Sequence, residues 1–184
     1  MKAAIALFLV LASSAFARKE KAEQNEIVES RNVPLAVTIF APKKIHEVKA
    51  HSRLAFFSLR LKPFVAQTFD HSKTAIGMEI TTTTTWDAFT SAPILMTADG
   101  KQVYSAAHDW DAAMVRGGRA EQTIISDVDL IRKISVANEV YLTVMFPGSA
   151  APFDHMSFQL STEQLEDVRL VLGLFASMQS GAAH

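Results

Sequence analysis

The segment from Thr74 to Trp86, TAIGMEITTTTTW, decides the fold class. Ile76, Met78, Ile80, Thr82, Thr84 and Trp86 fall on one face of an extended chain, and Gly77, Glu79, Thr81, Thr83 and Thr85 on the other. Five successive threonines oppose a helix, because a branched Cβ restricts χ1, and they suit a pleated surface. The segment is therefore a strand with one buried face.

Working outward, the same period of two recurs. Leu54 to Lys62 (LAFFSLRLK) places Phe57, Leu59 and Leu61 against Ser58, Arg60 and Lys62. Leu35, Val37 and Ile39 alternate with Ala36 and Thr38, and Pro34 and Pro42 bracket them, which predicts a short strand near a sheet edge. Ile94–Thr97 and Gln102–Ser105 flank Asp99-Gly100, the signature of a hairpin whose turn needs positive φ. Glu139–Phe146 and His155–Leu160 form a second strand pair, joined through a loop with Pro147, Gly148 and Pro152.

Two helices have readable starts. Ser126 caps Asp127–Val136, with Asp129 returning the capping interaction. Ser161-Thr162-Glu163-Gln164 is a capping box for a final helix to about Met178, whose core stripe is Leu165, Val168, Leu172 and Phe175. Gly173 interrupts that helix, and close packing on a sheet would account for it. The expected architecture is α+β: a mainly antiparallel, twisted sheet of about six or seven strands, packed by the C-terminal helix and one shorter helix.

The N-terminus reads as an export signal. Lys2 precedes the apolar run Ala3–Ala12, and Ala15-Phe16-Ala17 is a small-x-small cleavage site followed by charged Arg18–Lys21. The apolar run is shorter than the roughly 20 residues that span a bilayer, so no membrane span is expected after cleavage. The expected organisation is a signal peptide over 1–17, a charged flexible leader over 18–32, one domain over 33–178 and a frayed tail over 179–184. The chain has no cysteine and no Asn-x-Ser/Thr, which points to a bacterial periplasm rather than a glycosylating secretory route.

Composition excludes other classes. With 49% hydrophobic and 20% charged residues over 184 positions the chain is neither disordered nor fibrous. A formal net charge of −1 removes the electrostatic footprint of a nucleic-acid binder. Gly-rich phosphate loops and the Gly-x-Ser-x-Gly elbow are missing, and thiolate chemistry is excluded. His46-Glu47-Val48-Lys49-Ala50-His51 is a near miss for a zinc motif. Its histidines are five apart, which turns them about 140° around a helix or sends them to opposite faces of a strand.

The polar cluster that remains is His108, Asp109 and Asp111, with Arg116 and Arg119 around Gly117-Gly118, and His155 beside Asp154. The acids and His108 can surround a divalent cation or serve as acid and base, and the arginines can hold an anion. The plainer reading is a polar connection between strands, and Asp70-His71-Ser72 is read in the same way, as a solvated turn. The expectation is an exported, non-catalytic binding protein for another protein or a small apolar ligand, needing no metal or cofactor. The alternative is a hydrolase or metal-dependent enzyme built on His108, Asp109 and Asp111.

Overall fold

The structure is a computed structural model that describes residues 25–51, 56–84, 93–107, 111–115, 118–145 and 155–181. The expected signal peptide, His108, Asp109, Arg116 and Asp154 lie outside the described residues. The strands are β1 (Ile27–Asn32), β2 (Val37–Pro42), β3 (Glu47–His51), β4 (Phe56–Thr68), β5 (Thr74–Thr84), β6 (Ile94–Ala98), β7 (Lys101–Ala106), β8 (Asp111–Val115), β9 (Gly118–Ile125), β10 (Val140–Met145) and β11 (His155–Gln159). The helices are α1 (Val128–Val136) and α2 (Thr162–Gly181). The fold is α+β and antiparallel throughout, as the alternation predicts. It carries more strands than expected, in a seven-stranded sheet β1-β2-β4-β5-β9-β8, with β3 also on β4, and a four-stranded sheet β11-β10-β6-β7.

The long pair β4–β5 organises the larger sheet. Leu59 faces Thr82, Leu61 faces Ile80, and Val65 faces Ile76, so the apolar faces read from sequence coincide on the core side. On its other flank β4 carries two strands, with β3 along Phe56–Arg60 and β2 along Val65–Thr68. Thr68 N–H donates to Lys73 C=O and Phe69 N–H to Ala36 C=O, both at 3.0 Å. By the alternation of antiparallel ladders, even positions of β4 address β5 and odd positions address β2 and β3. Pro63 is odd and falls between those two pairings, so its missing N–H interrupts no ladder.

Both sheets and both helices contribute to one core. Leu59, Leu61, Val65, Ile76, Met78 and Ile80 meet Ile94, Met96, Leu142, Val144 and Phe158 of the smaller sheet, together with Leu130, Ile131 and Ile134 of α1 and Leu165, Val168, Val171 and Phe175 of α2. α2 crosses β2, β4 and β5, and β11 adjoins β3.

Several local expectations are corrected. Ile27–Asn32, part of the expected leader, is β1; its Glu29, Ser30 and Arg31 are exposed at the sheet edge, so no apolar period marks it. Residues 33–36 are a turn, and β2 lies inside the sheet between β1 and β4. Asp127 rather than Ser126 caps α1, because its side chain accepts from Leu130 N–H at 2.9 Å; Ser126 Oγ instead donates to Ile76 C=O at 3.0 Å. α2 runs on to Gly181, through the start of the expected tail. Gly173 faces open space, so packing on a sheet does not account for it.

Candidate functional site

Of the cluster read from the sequence, Asp111, Arg119 and His155 are described, and they lie on two sheets. Asp111 opens β8 and Arg119 is the second residue of β9, on one hairpin in which Asp111 pairs with Gln122 and Met114 with Arg119. His155 opens β11, at the edge of the four-stranded sheet, and is exposed. Among the described residues no group of three His, Asp or Glu side chains is placed to hold a metal ion.

A different feature is assembled where two neighbouring turns close. The turn after β1 displays Val33 at 72% and Leu35 at 69% exposure, and the turn after β4 displays Phe69 at 42%. Because β2 pairs with β4 from Val37–Thr68 onward, these turns sit side by side, and the Phe69 N–H to Ala36 C=O bond joins them. Three large apolar side chains thus share one end of the larger sheet, where burial would remove a substantial apolar area from water.

The turn that carries Phe69 is held by its own side chains. Asp70 Oδ1 accepts from Thr68 Oγ1 at 2.6 Å, from Ser72 N–H at 3.0 Å and from Ser72 Oγ at 2.8 Å. These donors hold the Asp70 carboxyl at a pKa of about 2, below its ordinary value of 3.8. Thr68 Oγ1 in turn accepts from Lys73 N–H at 3.0 Å. His71 Nδ1 donates to Gln67 Oε1 at 2.8 Å, and Gln67 Nε2 donates to Thr74 Oγ1 at 3.3 Å. The solvated turn expected at Asp70-His71-Ser72 is a tightly bonded one.

Both turns also store backbone strain. Ala36 has φ 51° and His71 has φ 59°, left-handed conformations that cost a residue with a Cβ roughly 1–2 kcal/mol. Such strain persists only where surrounding bonds over-determine it, and it concentrates at functional positions. Nearby charges balance: Arg31 pairs with Glu29 at 3.4 Å, and Asp70 shares its turn with Lys73. The tip is therefore held by local hydrogen bonds, apolar and close to electrically neutral.

This site was hidden in the sequence for a definite reason. Leu35 and Val37 fit a strand period, so Leu35 reads as core, and only the hairpin geometry places it in a turn. The signal that was available is Val33-Pro34-Leu35, an apolar residue on each side of a turn-forming proline.

Buried polar groups form a second feature. On the inner face of β5 and β9, Thr82, Thr84, Glu121 and Thr123 follow the aliphatic stretch of the core, with Glu121 1% exposed and directly across from Thr82. The Thr82 Oγ1 is buried and, among the described residues, has no hydrogen-bond partner. Two threonines on the core face of β5, in place of aliphatics, were the sequence signal for a polar counterpart, but the counterpart emerges only from the register. On α2, Asp167 is buried beneath Asn25, whose Nδ2 donates to its Oδ1 at 2.9 Å and to Lys44 C=O at 2.7 Å. Burial pushes the Asp167 carboxyl above its ordinary range, against the lowering effect of Asn25 and His46. Compared with known family models, curated proteins and solved structures, the chain matches none.

Proposed function

We propose that this chain is an exported periplasmic binding protein, without catalytic chemistry of its own, that docks another protein through the tip formed by Val33, Leu35 and Phe69. The observation that carries the reading is the joint exposure of these three side chains on two bonded, strained turns. A turn backbone held by its own hydrogen bonds before binding loses little entropy on binding, which favours an anchor. Three large apolar side chains displayed together on adjacent turns suit a protein partner that offers an apolar recess. Its neutral surroundings disfavour a polyanion as the partner. Export is supported by the N-terminal sequence alone.

The test is an affinity comparison. The partner is first recovered by cross-linking in the exporting cell and purified, and binding is then titrated with the parent protein and with Val33→Ser/Leu35→Ser/Phe69→Ser. The expected result is a loss of affinity of at least about a hundredfold, the scale of two or three apolar anchors, with an unchanged melting temperature. Equal affinity would overturn the reading. Val136→Ser, at an exposed apolar residue on α1 away from the tip, serves as the control.

A further inference from the structure

We infer that two copies of this chain pair through β1, edge to edge and antiparallel, joining their seven-stranded sheets across a two-fold axis at Ser30. β1 ends the sheet, and among the described residues no strand lies outside it. Edge strands in soluble proteins are blunted by proline, a bulge or charged side chains, lysine above all. β1 reads IVESRN: it has no proline, lysine or bulge, its register with β2 is continuous from Ile27↔Pro42 to Asn32↔Val37, and its charges, Glu29 and Arg31, are of opposite sign.

The ladder shows which groups face outward. Lys43 N–H donates to Glu26 C=O at 2.7 Å, so by alternation Val28, Ser30 and Asn32 address β2. Pro42, which has no N–H, sits opposite Ile27, where this alternation asks for no donor. Ile27, Glu29 and Arg31 therefore present their N–H and C=O groups to the open edge.

Charge then selects one register. Outward-facing residues must pair with outward-facing residues, and of the alignments that meet this, those centred on Glu29 and on Ser30 pair the most of β1. Centring on Glu29 opposes two glutamates, and centring on Arg31 opposes two arginines. Centring on Ser30 sets Glu29 of each copy across from Arg31 of the other, twice, with both main-chain bonds exchanged in each pair. Glu29 and Arg31 are exposed and meet within one chain only through a 3.4 Å ion pair, which contributes little at a surface and is free to be exchanged. An interface of this length is small and predicts a reversible dimer rather than an obligate one.

Pairing through β1 does not rest on the partner-docking reading of the tip, and a charge exchange separates the two. Sedimentation equilibrium of the purified full-length expression product should show a concentration-dependent dimer. Glu29→Arg and Arg31→Glu, each alone, should weaken it at least about tenfold by setting like charges opposite. Glu29→Arg/Arg31→Glu together should restore it. Amide exchange at Glu29 and Arg31, but not at Val28 and Ser30, should slow as concentration rises, and Leu35→Ser/Phe69→Ser should leave the dimer intact. A monomer at every concentration, or a dimer insensitive to either single substitution, would overturn the proposal.

Discussion

Phe64 on β4 covers Gly77 on β5, directly across the strand pair: a Cβ built on Gly77 would stand 2.7 Å from Phe64 Cζ and 3.3 Å from Ile125 C=O. The ring occupies the space a side chain would take, on the outer face of the sheet, and shields a residue that otherwise weakens a strand. Gly77→Ala should therefore destabilise the fold by about 1–3 kcal/mol through overpacking. In Phe64→Ala the second substitution should cost much less. A double-mutant cycle by urea denaturation reads the coupling, and additive effects would contradict this account of the pair.

Asp99 does two jobs at once. With φ 48° beside Gly100 at φ 76° it forms the β6–β7 turn, and its Oδ1 accepts from the N–H groups of Asn138 and Glu139, each at 3.0 Å. Asp99→Ala loses both bonds and the local tolerance of positive φ, for about 2–4 kcal/mol in all. Asp99→Asn keeps the conformation and an acceptor, and should cost less than half of that. Equal losses in thermal denaturation would contradict the second role.

Two carboxyls should tilt the pH dependence of stability in opposite directions. Asp70 has its pKa lowered from 3.8 to about 2, so its contribution is present above 3.8 and is lost as pH falls toward 2. The deficit of Asp70→Ala should be constant at neutral pH and vanish across that window. Asp167 has a raised pKa, so the folded state holds its proton more tightly and loses stability as pH rises from 3.8 through the folded value. Asp167→Asn should match the parent in acid and exceed it at neutral pH. Melting temperatures measured between pH 2 and 7 check both signs.

Gln164, fully buried, ties the start of α2 to the segment before β3. Its N–H donates to Ser161 Oγ at 3.2 Å, its Oε1 accepts from Ser161 N–H at 3.0 Å, and its Nε2 donates to His46 C=O at 3.1 Å. Gln164→Ala should cost about 2–3 kcal/mol. Gln164→Glu keeps the cap but sets a buried carboxylate against a carbonyl, and should cost at least as much. A milder effect for Gln164→Glu than for Gln164→Ala would contradict this role.

What could be read in advance follows from where burial is one-sided. β4, β5, the Asp99-Gly100 hairpin and the β10–β11 pair each have one face on the core, and their alternation shows it. The capping box at Ser161 was equally plain, although the tie from Gln164 to His46 spans too much chain to be seen locally. β1 was missed because an exposed edge strand needs no apolar period. Ser126 and Asp127 are both good caps, and only the position of Leu130 N–H separates them. Of the polar cluster read from the sequence, Asp111 and Arg119 lie on one sheet and His155 on the other, and His108, Asp109 and Arg116 lie outside the described residues. The apolar tip requires two turns, more than thirty residues apart, to be brought together by the β2–β4 register.

The most direct test is photo-cross-linking in the cell that makes the protein, from single probes at Leu35, Phe69 and Val136. The account predicts that Leu35 and Phe69 capture the same protein and that Val136, although more exposed than either, does not. Capture from all three positions alike, or from none, would contradict the assignment of the tip as the docking surface.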